Sequence, residues 1–236
     1  MFGGIPGFRR LYPDRPGMGR TPAHASLNSN DDVLDLLLGF IDGTMGDEPF
    51  LIIGQSYGGY LARAVAHLRP QAAGLALICP VGAHTGSVPG HEVLVSSVHP
   101  AGLDAENEAS FRGYFVVQTD ETLKRFQQYV APAASLVDGQ GLARIFSRWQ
   151  LRDRAESAVT YPRPVLVLVG RQDATAGYAD GLALARDYPR GTFAVLDRAG
   201  HALLHEQPAL VQAFLVEWIE RVREDQAPVR AGSRLP

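Results

Sequence analysis

Lysine and cysteine are nearly missing from this sequence. Lys124 is the sole lysine among 22 basic residues, and Cys79 is the one cysteine. A single thiol excludes an intrachain disulfide and leaves no ligand set for a cysteine-based zinc site. Positive charge is short as well: 22 basic residues against 25 acidic ones give a formal net charge of −3. A protein that neutralises phosphates needs a basic surplus, so nucleic acid is not an expected partner. Long apolar runs are also lacking. Stretches such as Leu36–Ile41 fall far below the roughly 18–20 residues that cross a bilayer, so no membrane partner is expected. The opening, Met1–Arg10, has no basic segment followed by an apolar one, which argues against a signal peptide and for a cytoplasmic protein. What is present is core material. An apolar fraction of 46% over 236 residues suits a globular chain below the size, about 250–300 residues, at which one core divides.

The apolar residues follow two rhythms. Ser29 and Asn30 offer a helix cap, and Asp31 and Asp32 suit the positive end of a helix dipole. Val33, Leu34, Leu37 and Ile41 then recur at helical spacing until Gly43 and Gly46. Phe50–Gly54 is a short continuous apolar run, the pattern of a strand buried on both faces. Leu61, Val65 and Leu68 share a helix face that Pro70 ends, and Leu75–Cys79 is a second buried-strand pattern. Pro164–Gly170 and Thr192–Leu196 are further strands, separated by a helix over Tyr178–Tyr188. A last helix opens at Pro208 and buries Val211, Phe214, Leu215, Trp218, Ile219 and Val222. This alternation predicts an α/β fold, a mostly parallel sheet with helices on both faces.

Phe8–Tyr12 reads as a short strand stopped by Pro13, and Pro13–Gly19 as a loop dense in turn residues. Val81–Tyr161 changes character. It lacks a buried-strand signal and shows helical patches through Leu123, Phe126, Gln127 and Val130, and through Leu142, Ile145, Phe146 and Trp149. The chain therefore divides into an α/β core of residues 1–80 and 162–224, a helical insertion at 81–161, and a loose tail at 225–236.

Gly54-Gln55-Ser56-Tyr57-Gly58, with Gly59 behind it, fits G-x-S-x-G between a buried strand and an amphipathic helix. That context is what a nucleophile elbow needs, because the serine must project from a tight turn at the sheet end. Side chains at Gly54 and Gly58 are expected to collide with the adjoining strand and helix. A serine nucleophile needs a base, and the base an orienting acid. Asp173, after the strand ending at Gly170, and His201, after the strand ending at Leu196, follow in the required chain order. His201 would take the proton from Ser56, Asp173 would hold the imidazole, and the Tyr57 backbone N–H would face the oxyanion. Asp180 and Asp197 are rival acids, and His205 is the rival base. Asp14 is expected to brace its loop, Glu206 to support the helix start near His201, and Cys79 to pack as a small apolar group. His84, His91 and His99 fit no helical ligand pair, so no metal site is expected. Phe111, Tyr114 and Phe115 suit either a pocket lining or internal packing of the insertion.

These residues resemble the α/β-hydrolase superfamily over nearly the whole chain. The resemblance rests on the elbow at Ser56, on Gly170–Asp173, on Gly200–His201 followed by Glu206-Gln207-Pro208, and on Tyr12–Gly19, which is similar to the loop after the family's fourth strand. It implies a serine hydrolase cleaving an ester, amide or related acyl bond of a small molecule through an acyl-enzyme, with no metal or organic cofactor. Residues 81–161 sit where the family inserts its cap. The resemblance also implies three strands ahead of Asp14, one of them beside Phe50–Gly54 and followed by a second oxyanion donor. An N-terminally shortened fold is therefore expected, with a natural polypeptide that extends upstream. Otherwise residues 8–12 should pair with 50–54, or the exposed sheet edge should pair two copies as a homodimer. Gly54–Gly59 is similar to the elbow of some proline iminopeptidases, an alternative that Asp104, Glu106 or Glu108 would serve by holding a substrate ammonium. A catalytically silent binding protein is the alternative from another class, and non-hydrolytic chemistry such as C–C cleavage is a third.

Overall fold

The computed structural model describes residues 5–81, 88–99, 102–157 and 161–227, without the side chains of 156 and 157. His84 lies outside them. Helix α1, Asn30–Met45, starts at Ser29, whose hydroxyl accepts from the Asp32 N–H. It buries Val33, Leu34, Leu38 and Ile41, and it runs through Gly43 to stop at Gly46, where φ is 56°. Strand β1, Phe50–Gln55, leads into helix α2, Tyr57–Leu68, and the chain returns as β2, Ala72–Ile78.

The next segment holds a short parallel pair, β3 Val95–Ser96 and β4 Val117–Gln118, which the sequence pattern did not signal. Its helices are α3 Ala105–Tyr114, α4 Asp120–Arg125, α5 Ala131–Ala134 and α6 Gly139–Phe146. One π-helical turn, Phe126–Val130, joins α4 to α5. Beyond these come β5 Val165–Gly170, α7 Tyr178–Ala185, β6 Gly191–Leu196, α8 Leu203–Glu206 and α9 Pro208–Gln226.

The main sheet is parallel, in the order β1-β2-β5-β6. The period-two alternation of a strand sorts its side chains between two layers. Leu75, Leu77, Val165, Val167 and Val169 pack with α1 and α2, whereas Ala76, Ile78, Leu166 and Leu168 pack under α9. Gly74 lets α9 approach, since a Cβ there would lie 2.6 Å from Val222 and 2.9 Å from Trp218. The Trp218 indole N–H donates to Pro164 O at 3.0 Å.

Two expectations change. Phe8–Tyr12 is not a strand and does not pair with residues 50–54; among the described residues β1 has β2 as its one strand neighbour. Gly7, at φ 88°, turns the chain just before this stretch. Ile5 is buried in the layer under α9, and Arg9 donates to Thr44 O near the end of α1. The segment thus crosses from one layer to the other instead of lying along β1. Second, α9 runs on to Gln226. Asp225, expected in a loose tail, binds Arg163 at 3.0 Å and also Arg190.

The described residues of 81–161 divide between two clusters. Val98, Phe111, Phe115, Leu123 and Phe126 form a small core of their own with Ala202. Ile145, Leu151 and Ala155 join the layer of α1 and α2 instead.

Candidate active site

The turn from β1 to α2 carries Ser56 at φ 52° and ψ −123°. A side chain in this positive-φ region is strained and persists only where its surroundings impose it. Here they do. The Ser56 N–H donates to Ile78 O at 3.0 Å, and its carbonyl accepts from Gly59 and Tyr60 at 2.9 and 3.2 Å. Gly54 is required, because a Cβ would lie 2.3 Å from Gly58 O. Gly58 is not: a Cβ there meets nothing within 4 Å, and the close approach falls at Gly59, 3.0 Å from Pro80. The reason is that the crowding arises where the helix start crosses the ends of β1 and β2. The Ser56 hydroxyl does not cap its own helix. The Tyr57 N–H belongs to the first turn, whose amides have no acceptor within the helix. The Tyr57 ring anchors that turn: its hydroxyl donates to Asn30 Oδ1 at 2.7 Å, and the Arg15 guanidinium lies 4.4 Å from its centroid. Burial pushes the Tyr57 phenol up to about 12.

Asp173 and His201 meet directly. Asp173 Oδ2 lies 2.9 Å from His201 Nδ1, while Oδ1 accepts from the Thr175 and Ala176 N–H groups at 2.8 and 2.9 Å. Burial opposes ionisation of Asp173, and the bonds to the imidazole and the two amides outweigh it, so the carboxyl sits below its usual range. The two loops are closed on each other through Gly170, where a Cβ would lie 2.4 Å from both Ala199 O and Gly200 O. Gln172 N donates to Ala199 O at 3.0 Å.

The residue before Ser56 touches the loop that carries His201. Gln55 Nε2 donates to His201 O at 3.2 Å, and the Tyr114 hydroxyl contacts the same carbonyl at 3.5 Å. Among the described residues no hydrogen bond joins Ser56 Oγ to the His201 ring. Of the rivals, Asp197 is exposed and Asp180 is buried on α7. His205 faces Phe115 and Tyr129, stacked on the latter at 6.2 Å. Asp14 accepts from the Arg20 N–H at 3.0 Å within its loop. An open cavity of about 560 Å³ lies between that loop, Tyr129–Val137 and His205.

Cys79, Asp173 and His201 bring ligand atoms within 4.8 Å of one another. They fit a cation poorly: Asp173 and Nδ1 already satisfy each other, and burial pushes the Cys79 thiol far up, away from the thiolate a metal needs. Glu206 does not cap α9, which has no side-chain cap. Its carboxylate instead accepts from Val116, Val117 and Gly200. The contacts of Gln55, Tyr114 and Glu206 were not visible in the sequence; an acid two residues before Pro208 was the one local signal for Glu206.

A sequence model described as the alpha/beta hydrolase family matches residues 3–213. The chain belongs to this family. It is 25% identical over 232 residues to a 2-hydroxy-6-oxononadienedioate/2-hydroxy-6-oxononatrienedioate hydrolase of Cupriavidus pinatubonensis, covering 90% of this chain and 76% of that one. Among solved structures, an α/β superfamily hydrolase from Oenococcus oeni PSU-1 superposes with a TM-score of 0.82 at 26% identity, over 89% of this chain and 80% of the other. A thermophilic esterase from Thermogutta terrifontis gives 0.61 at 21% identity, over 89% and 79%. The last likeness concerns the fold alone. Among the described residues of this family member, no helix is long and apolar enough to cross a membrane.

Proposed function

We propose that this α/β hydrolase is a serine hydrolase of small molecules, with Ser56 as nucleophile, His201 as base, Asp173 as its orienting acid and the Tyr57 N–H as oxyanion donor. The observation that supports it most is the 2.9 Å Asp173–His201 contact, with a strained Ser56 just past the end of β1. Such a pair leaves Nε2 as the acceptor. Ser56 Oγ attacks the substrate carbonyl as its proton passes to Nε2, and the carbonyl oxygen becomes an oxyanion facing the Tyr57 N–H. Collapse expels the leaving group, which takes the proton from His201. Water, deprotonated by His201, then attacks the acyl-enzyme and releases the acid with Ser56 restored. No step draws on a metal or an organic cofactor. A fluorophosphonate probe tests the reading. Labelling that disappears in Ser56→Ala supports it, and a folded chain that takes no label defeats it.

A second reading has the curated relative in its favour. A 2-hydroxy-6-oxo-dienedioate carries a ketone, an enol and two carboxylates, with no ester or amide. Hydrolysis of such a compound must therefore break a carbon–carbon bond beside the ketone, which the same serine relay can perform. A panel of small esters against a 2-hydroxy-6-oxo-dienoate, followed by absorbance, separates the two reactions.

A further inference from the structure

Glu206 is buried at 6% exposure, yet it belongs to neither the nucleophile turn nor the acid–base pair. Its two oxygens bind two different segments. Oε1 accepts from the Val116 and Val117 N–H groups at 2.7 and 3.0 Å, at the start of β4 in the insertion. Oε2 accepts from the Gly200 N–H at 2.7 Å, one residue before His201. Charge-assisted bonds of this length are among the strongest in a protein interior. A buried acceptor that fills three amides leaves none of them unsatisfied.

The surrounding contacts follow the same path. Gly200 packs on the insertion, since a Cβ there would lie 3.0 Å from Val116. The Tyr114 hydroxyl reaches His201 O, and its ring meets the imidazole edge-on at 6.0 Å. Arg125 donates to His205 O at 2.5 Å, and Ala202 lies in the small core of Phe111, Phe115 and Phe126. The insertion therefore rests on the very loop that carries the base.

We propose that Glu206 is a positioning residue that clamps the insertion to the His201 loop, so that the seating of residues 114–118 sets the aim of the imidazole toward Ser56. It touches neither substrate nor reacting atoms. It acts through Gly200, whose backbone fixes where His201 begins. The inference rests on the serine relay proposed above for its catalytic consequence, and on geometry alone for the clamp.

The test uses the whole chain with Glu206→Gln and Glu206→Asp. Glutamine keeps the shape but turns an N–H toward an N–H at one jaw. Aspartate keeps the charge but is too short to span both. Amide exchange is read on segments 111–119 and 197–205, with 165–170 as the folded reference, alongside the rate of Ser56 labelling by a fluorophosphonate. The expected result for Glu206→Gln is exchange faster by about tenfold or more in both segments together, with the reference strand unchanged. Labelling should slow by about 10- to 100-fold, as misaimed catalytic groups do, with partial rescue in Glu206→Asp. Exchange that quickens in only one segment, or labelling that stays within about twofold of the parent, would overturn the clamp. Should Glu206→Gln fail to fold, the same two readouts on Glu206→Asp decide. A parent chain that takes no label defeats the serine-hydrolase reading instead, and the exchange measurement still decides the clamp.

Discussion

The two ends of the candidate site are built differently. Asp173 follows β5, an inner strand, and His201 follows β6, the opposite edge of the four-stranded sheet, yet the packed loops bury them to exposures of 0% and 8%. Each loop there is closed by backbone bonds, by Gly170 and by Glu206. Ser56 stands at the end of β1, an edge strand with one neighbour among the described residues. Phe50 and Ser56 both donate toward β2, so by the alternation of a strand Leu51, Ile53 and Gln55 turn their peptide groups to the open side. Ile53 is 38% exposed. The Asp173–His201 end is thus held by its closed loops, although β6 is an edge strand like β1. The Ser56 end is held by one strand, by its own strained turn, and by the contacts of Tyr57 with Asn30 and Arg15 and of Gln55 with His201.

Breaking the chemistry should outweigh breaking the scaffold. Ser56→Ala should lower kcat by about 10,000-fold or more, measured on the best ester of a panel, with the fold intact by circular dichroism. Asp173→Asn should follow at about 1,000- to 10,000-fold, because the imidazole loses the partner that selects its tautomer. At the nucleophile end, Gly54→Ala should cost about 1–3 kcal/mol in urea unfolding, since its methyl group meets the Gly58 backbone. Gly58→Ala should cost less, because that position is open. The comparison also has a pH form. Asp173 holds a folded pKa below the usual range, so its share of stability is in full above the unfolded value, about 4, and is lost as pH falls through the folded value. Urea titrations should show the stability gap between the parent and Asp173→Asn shrinking below about pH 4. The smallest effect concerns the edge. We expect β1 to support edge-to-edge pairing of two copies. Ile53→Pro removes an outward N–H without touching the β2 ladder, so sedimentation should shift toward monomer at a stability cost of about 1 kcal/mol or less.

Legibility in the sequence followed the range of the interactions involved. Leu75–Ile78 and Val165–Gly170 were plain because strands buried on both faces must be apolar throughout. The Ser56 turn was plain because its glycines act on neighbours a few residues away. Even so, the pattern misassigned the crowded position to Gly58 rather than Gly59, a matter of which helix residue faces Pro80. Phe8–Tyr12 looked extended, but strand formation needs a partner, and Ile5 and Arg9 carry this segment across the sheet edge instead. Asp225 drew its order from Arg163 and Arg190, which sit 62 and 35 residues away in the chain. Glu206 reaches amides 89 and 90 residues away, and no local spacing encodes such a contact.

The π-helical turn at Phe126–Val130 holds one residue more than an α-helical path would. Losing a residue there would let the ordinary helix close up and rotate everything beyond it by about 100°. Tyr129 would then swing off His205, and the wall from Tyr129 to Val137 would present different side chains to the hollow it borders. A single deletion would thus recast the lining of that hollow while Ser56, Asp173 and His201, which do not border it, stay in place.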